Sequence, residues 1–168
     1  MARTPIYPNS ELKARVAAVL RVDAVNYTTP KKFFERNSYF FCDEPRNEWS
    51  IRSNDHQLKD AIGLLSSNFK AVTAEQWDEK YLKHVFDRMA DEIFVRWNQE
   101  EGSQSDRGKS ALGSVQHFLR WALSGGRPGP RLISTMAILG REVSLQRIED
   151  AASSLEALFV EVKDDSAR

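Results

Sequence analysis

Catalysis and metal binding depend on histidine, cysteine, serine and carboxylate side chains. The chain has three histidines, His56, His84 and His117, and one cysteine, Cys42. A metal site needs ligands clustered at set spacing. These histidines are far apart and Cys42 has no partner cysteine, so no metal site is expected. His117 follows Ser114 by three residues. Nucleophilic catalysis also needs an orienting group and a strained presentation of the serine. Neither accompanies this pair, and His117 reads as a helix-surface or interface residue. Asp43-Glu44 and Asp91-Glu92 are carboxylate neighbours. Adjacent residues on a helix diverge by about 100° and do not converge on one bond. They read as solvated or capping groups, and no catalytic residue is expected.

The stretch Leu119 to Pro130, LRWALSGGRPGP, has a different character. An apolar helical run ends at Gly125-Gly126, one of which can take the left-handed conformation past a helix end. Pro128 and Pro130 stiffen the chain beyond the glycines, and Pro130 can sit in the first turn of the next helix. That helix start would leave N–H groups beside Arg127 and Arg131, a place that attracts anions or acceptor groups. The other reading is a corner between two helices with incidental arginines. The glycines do not follow a strand, so a dinucleotide-binding turn is not supported.

The elements that must position this stretch have helical periods. After Asn9-Ser10, Leu12, Val16, Val19 and Leu20 form one stripe. Asn26 to Pro30 is a turn or cap region, because Thr29 precedes proline. A short aromatic helix is expected from Lys31 to Phe41, ended by Asp43-Glu44-Pro45, with an irregular loop from Pro45 to Ser53 containing Trp49. Asn54 or Asp55 would cap a third helix through Asn68, with Leu58, Ile62 and Leu65 inward. Thr73-Ala-Glu-Gln76 reads as a capping box that starts a fourth helix through about Trp97, with Trp77, Tyr81, Val85, Met89 and Ile93 inward. Gln99 to Asp106 is a polar connector. A helix from about Arg107 to Leu123 buries Leu112, Val115, Leu119 and Ala122. Another covers Arg131 to Leu139 and stops at Gly140. The last is capped by Ser144 and lined by Leu145, Ile148, Ala152, Leu155 and Phe159. The aromatics Phe33, Phe34, Phe40 and Phe41 read as core or as stacking surfaces for bases. The expected fold class is all-α.

The composition, 41% hydrophobic and 29% charged over 168 residues, suits one domain or two small packed subdomains. One cysteine excludes an internal disulfide and fits a reducing compartment. No apolar run approaches the roughly 20 residues that cross a bilayer, so no membrane is expected as partner. No signal-peptide pattern is present, and Arg3, Lys13, Arg15 and Arg21 are too few to define a transit peptide. Formal net charge is zero. Residues 72–106 carry nine acids and four bases, however, whereas residues 107–147 carry seven bases and one acid. Such a basic segment could contact phosphates or simply be a solvated helix face.

Ordered motifs then point to a family. They are Tyr39-Phe-Phe-Cys-Asp-Glu-Pro45, Glu75-Gln-Trp-Asp-Glu79, Leu119-Arg-Trp-Ala-Leu-Ser-Gly125, Gly129-Pro130, Leu139-Gly-Arg-Glu142 and Leu145-Gln-Arg-Ile148. Over roughly residues 10 to 150 the chain resembles the carboxyl-terminal, anticodon-binding region of bacterial- and organelle-type glutamyl-tRNA synthetases. The resemblance implies two packed helical subdomains that form a helical cage, residues 1–101 and 102–168, with the catalytic domain absent. It implies a tRNA-binding chain that acts as a monomer and supports glutamyl-tRNA aminoacylation. Arg120 would contact the anticodon. Gly125, Arg127, Gly129, Pro130, Arg131 and Leu132 would form the loop that approaches its bases. Asn26 stands near the place where the family often has an arginine that reads the last anticodon base. Without that arginine, glutamine tRNA becomes a second partner beside glutamate tRNA. No HIGH-like or KMSKS-like sequence occurs, so the chain alone should be inactive and should need no cofactor, while the full-length parent would use ATP and Mg2+. The expected location is the mitochondrial matrix or the bacterial cytoplasm. The alternative is a non-catalytic helical protein-interaction module derived from such a ligase.

Overall fold

The computed structural model describes residues 11–42, 55–99 and 106–165. Within them run α1 (Leu12–Asp23), α2 (Pro30–Asn37), α3 (Asp55–Lys70), α4 (Glu79–Gln99), α5 (Asp106–Ser124), α6 (Leu132–Leu139) and α7 (Arg141–Asp165). Single 3-10 turns occupy Ala24–Asn26 and Ser38–Phe40. No strand occurs among the described residues, so the all-α expectation holds. The expected cap at Asn9-Ser10, the stop at Asp43-Glu44-Pro45, the loop from Pro45 to Ser53, the cap at Asn54 and the connector residues 100–105 lie outside the described residues. So does the side chain of Phe159.

Several sequence expectations shift in the structure. Thr29 caps α2 by accepting the Lys32 N–H at 3.3 Å, with Pro30 at the first helical position. The helix then stops at Asn37 instead of reaching Phe41. In the Ser38–Phe40 turn that follows, both Tyr39 and Phe40 are buried. On α1 only Val19 of the expected stripe is fully buried; Leu12 and Leu20 remain exposed. This helix packs mainly on α6, and its end is tied to α2 through Asp23 and Arg36.

The Thr73–Gln76 box does form, but it closes a turn rather than a helix. Gln76 Oε1 accepts from the Thr73 N–H and hydroxyl at 3.5 and 3.4 Å. Helix α4 starts later, where Asp78 Oδ1 accepts the Tyr81 N–H at 2.9 Å. Trp77 therefore lies before the helix and Tyr81 is exposed. The inner stripe is Leu82, Val85, Met89, Ile93 and Trp97. Nor does Ser144 cap α7. That helix starts at Arg141, directly after Gly140, and the buried Ser144 hydroxyl donates back to the Met136 carbonyl of α6 at 3.3 Å.

Helices α3, α4, α5 and α7 make the central bundle. Helix α5 lies against α4 and α7, and α3 lies against all three. Helix α6 closes one end across α4, α5 and α7. Leu58, Ile62 and Leu65 of α3 and Val115, Leu119 and Ala122 of α5 are buried as their spacing requires. Phe69, Phe118, Met89 and Leu139 complete the centre. Each fully buried side chain of this size contributes about 1.5–3 kcal/mol. Phe118 is 0% exposed, and truncating such a core phenylalanine leaves a cavity. Phe118→Ala should therefore lower unfolding free energy by about 3–5 kcal/mol, measured by urea denaturation; a loss below about 1 kcal/mol would place Phe118 outside the core.

Candidate nucleic-acid interface

The corner between α5 and α6 is assembled from the end of α5 outward. The Gly125 N–H bonds the Trp121 carbonyl at 3.0 Å and the Gly126 N–H bonds the Arg120 carbonyl at 3.3 Å. Both glycines have positive φ, 67° and 82°, a conformation that costs glycine nothing and a Cβ-bearing residue considerably more. The Ser124 hydroxyl sits 2.9 Å from both the Arg120 and the Arg127 carbonyl oxygens and closes the loop with its one proton. This agrees with the structural role its helix-end position implies. Arg131 occupies the N-cap of α6 at φ −56° and ψ 146°, with no side-chain cap. Pro130 precedes it and so lies outside the first helical turn, contrary to the sequence expectation.

Below the corner lies a layer of half-buried and buried polar groups. Arg120 Nη2 donates to the Pro130 carbonyl at 2.7 Å, and the Thr135 hydroxyl donates to the same oxygen at 3.4 Å. Tyr39 packs directly beneath Gly129. A Cβ at position 129 would overlap the Tyr39 hydroxyl and lie 3.2 Å from its Cζ, so only glycine fits. Arg127 Nη1 donates to Ser38 Oγ at 3.1 Å. Arg147 Nη1 donates to the Leu123 carbonyl at 2.6 Å while its Nη2 donates to the Tyr39 carbonyl at 2.9 Å. That guanidinium joins the end of α5 to the aromatic turn after α2.

A second polar centre surrounds Asp23, whose side chain is 2% exposed. It accepts from Arg36 Nε at 2.7 Å, Asn26 Nδ2 at 2.6 Å and Asn37 Nδ2 at 3.4 Å. The hydrogen bond to Asp23 holds the Arg36 guanidinium above its usual pKa. Burial pushes Tyr39 up to about 12, with the Arg120 charge pulling the other way. Burial likewise depresses Arg120. Thr135 stands near the Tyr39 hydroxyl without reaching hydrogen-bond geometry, so that hydroxyl is unpartnered.

The expected site residues thus separate. Arg120, Gly125, Arg127, Gly129, Pro130, Arg131 and Leu132 make one continuous corner. Within it Gly126, Pro128 and Arg131 are exposed, Arg127, Gly129 and Leu132 are half-buried, and Gly125 and Pro130 are buried. Asn26 is exposed beside Asp23, with no hydrogen bond to the corner. Much of the positive charge in residues 107–147 serves the protein's own acceptors. Arg120 and Arg147 bond carbonyls as above, and Arg141 bonds the Val72 and Lys70 carbonyls at 2.7 and 3.0 Å. The side chains of Arg107 and Lys109 lie outside the described residues. Sequence reasoning missed the roles of Arg141, Arg147 and Asp23, since nothing in their spacing distinguishes an arginine that caps carbonyls from one in solvent.

Helix α6 is fastened to the rest by Trp77 Nε1, which donates to the Met136 carbonyl at 3.0 Å, and by the Ser134 hydroxyl, which donates to Glu79 Oε1 at 2.7 Å. Among the described residues no three His, Cys, Asp or Glu side chains gather as a metal site, and no helix is long and apolar enough to cross a membrane. The surface the corner offers is main chain, proline and arginine, suited to hydrogen bonding and charge rather than to proton transfer or nucleophilic attack.

Residues 104–152 match the family model of an anticodon binding domain, a segment that holds all of α5, the whole corner, α6 and the start of α7. The chain is similar to the glutamate–tRNA ligase of Thermus thermophilus, with 28% identity over 143 residues, 84% of this chain and 26% of that ligase. It is also similar to glutamate–tRNA ligase 2 of Rhizorhabdus wittichii, with 34% identity over 90 residues, 54% of this chain and 18% of that ligase. A solved glutamate tRNA ligase from Elizabethkingia meningosepticum, in complex with its amino acid, shares the fold at TM-score 0.50 and 18% identity, covering 85% of this chain and 29% of that one. The chain spans about a quarter of the length of the Thermus relative.

Two consequences are measurable. Removing Arg147 leaves the Leu123 and Tyr39 carbonyls unpaired, so Arg147→Ala should cost about 1–3 kcal/mol in chemical denaturation, and Arg147→Lys should recover little of it because one ammonium lacks the planar fork. The Tyr39 pKa is raised on folding, so the contribution of its neutral form is intact below about pH 10 and is lost as pH rises towards about 12. Tyr39→Phe should flatten the fall in melting temperature across that alkaline window; an unchanged slope would show that Tyr39 does not titrate there.

Proposed function

We propose that this chain binds the anticodon arm of tRNA as the carboxyl-terminal part of a glutamate–tRNA ligase. The observation that carries the reading is the family match to residues 104–152, which encloses the corner with its exposed Arg131 and the uncapped start of α6. Main-chain N–H groups at such a start favour anionic or carbonyl acceptors. Single-stranded RNA loops are read through base edges offered to donors of this kind. Arginine charge holds phosphates without carrying sequence information. The helical subdomains 1–101 and 102–168 grip the anticodon stem and loop together, with Asn26 and the corner as two points of approach.

Glutamate tRNA is the proposed partner, and the protein acts as a monomer. Asn26 in place of an arginine supports glutamine tRNA as a second partner. Activation of the amino acid with ATP and Mg2+ belongs to the portion of the ligases that this chain does not span.

Titration of the chain with glutamate tRNA, glutamine tRNA and an unrelated tRNA, by filter binding at several salt concentrations, tests the proposal. Affinity for the first two should exceed that for the third and should fall steeply with salt, as phosphate contacts require. Equal affinity for all three would sink the anticodon reading.

A further inference from the structure

The sequence leaves the aromatics of α2 with two readings, core or stacking surface, and the structure divides them. Phe33 is buried in the core, whereas Phe34 is 49% exposed. Phe34 is nonetheless held in place. Its ring meets Phe33 edge-on at 5.1 Å and leans on Phe41 at 5.7 Å, while Phe33 is itself braced edge-on by Tyr27 at 5.0 Å. Phe34 lines an open groove of about 430 Å³ between α1 and α2, within the roughly 300–1,000 Å³ of small-molecule sites. Pro30 and Phe33 line it beside Phe34, and Val16, Leu20 and Ala24 line it from α1 and its end. Charge around the groove is one-sided. Residues 11–42 carry six bases and three acids. Each acid is matched within the segment: Glu11 by Arg15, Asp23 by Arg36 and Glu35 by Lys31. Lys13, Arg21 and Lys32 are exposed, and no acid among the described residues pairs with them. Lys13 stands three residues before Val16 and Arg21 three before Ala24, a spacing that sets both cations beside the apolar row of α1.

We propose that this groove binds an unstacked nucleobase of single-stranded RNA, with Phe34 as the stacking face and Lys13 and Arg21 on the flanking phosphates. The groove is separate from the α5–α6 corner, none of whose residues line it. A flat ring suits an open slot that combines one fixed aromatic face with aliphatic side chains. Every base has such a face, so stacking of this kind tolerates any sequence. The unmatched positive charge favours a polyanion, whereas a second copy of this chain would bring the same positive edge to the interface. The proposal rests on the anticodon reading only for which RNA reaches the groove, not for the stacking itself.

The test measures binding of the whole chain to a labelled short oligoadenylate and to glutamate tRNA, by fluorescence anisotropy at several salt concentrations. One arm needs no variant: an oligoadenylate made abasic at its central nucleotides should bind the wild-type chain about tenfold more weakly than the intact oligomer. Phe34→Leu keeps an apolar side chain but removes the flat face. It should weaken binding of the intact oligomer by about tenfold with the salt slope unchanged, and Phe34→Tyr should bind as the wild type does. Replacing both Lys13 and Arg21 by Gln should lower the salt slope by about one per charge removed. The proposal is overturned if the wild-type chain does not bind oligoadenylate or binds the abasic oligomer equally well. It is also overturned if Phe34→Leu binds as tightly as the wild type, or if the double variant keeps the full slope. A wild-type dimer in sedimentation that Phe34→Ala returns to monomer would overturn it as well, because the groove would then join two copies. The two readings fail separately. Oligoadenylate binding that depends on Phe34, without any anticodon preference in tRNA, sinks the anticodon reading alone. Anticodon preference with no effect of Phe34 sinks the groove alone.

Discussion

The bond from Arg120 to the Pro130 carbonyl, made over the buried Tyr39 ring, is the constraint on which the corner depends. It joins an interior helix to a surface turn through one guanidinium. The central bundle supplies the rigidity: α5 is held on both sides by α4 and α7, so Arg120 starts from a fixed backbone. The first layer supplies the support beneath, because the turn after α2 carries Tyr39 inward and its own carbonyl is held by Arg147. The corner is thereby built from three separate parts of the chain, and none of them could hold it alone.

The charge pattern takes on a different meaning in the folded chain. Residues 107–147 are strongly basic, a composition that suggests a phosphate-binding face. In the structure Arg120, Arg141 and Arg147 satisfy backbone carbonyls near helix ends and turns, where acceptors lack intrahelical partners. Charge-assisted bonds of this type are among the stronger hydrogen bonds available. Arg131, exposed at the start of α6, is a base in this segment that is open to a partner. A count of basic residues therefore overstates the electrostatic footprint of the corner.

Much of the fold was legible because helical periodicity and glycine–proline punctuation are local signals. The stripes Leu58–Ile62–Leu65 and Val115–Leu119–Ala122 are buried, and α6 ends at Gly140 as its sequence indicates. The failures are also physical. Thr73–Gln76 makes its side-chain bonds ahead of the helix it was expected to begin, since Asp78 offers a competing cap. Ser144 is a plausible cap by type, but its hydroxyl finds a buried carbonyl on the neighbouring helix. The aromatic helix shortens because packing of Tyr39 and Phe40 outweighs the propensity to continue. At the site, the corner was visible in the order of its residues. The distribution of its arginines between interior and surface was not, because it depends on the acceptor each one meets in the fold, 10 residues away for Arg120 and 108 for Arg147.

That separation along the chain has a consequence for how the protein comes to be folded. Arg147 and the Tyr39 carbonyl are 108 residues apart in sequence. Contacts of such span form late, since long loops must close before they add any stability. During synthesis, which proceeds from the amino terminus at about 5–20 residues per second, α1 and α2 emerge long before the arginine that secures the turn behind them. The corner therefore acquires its final shape only after α7 has left the ribosome.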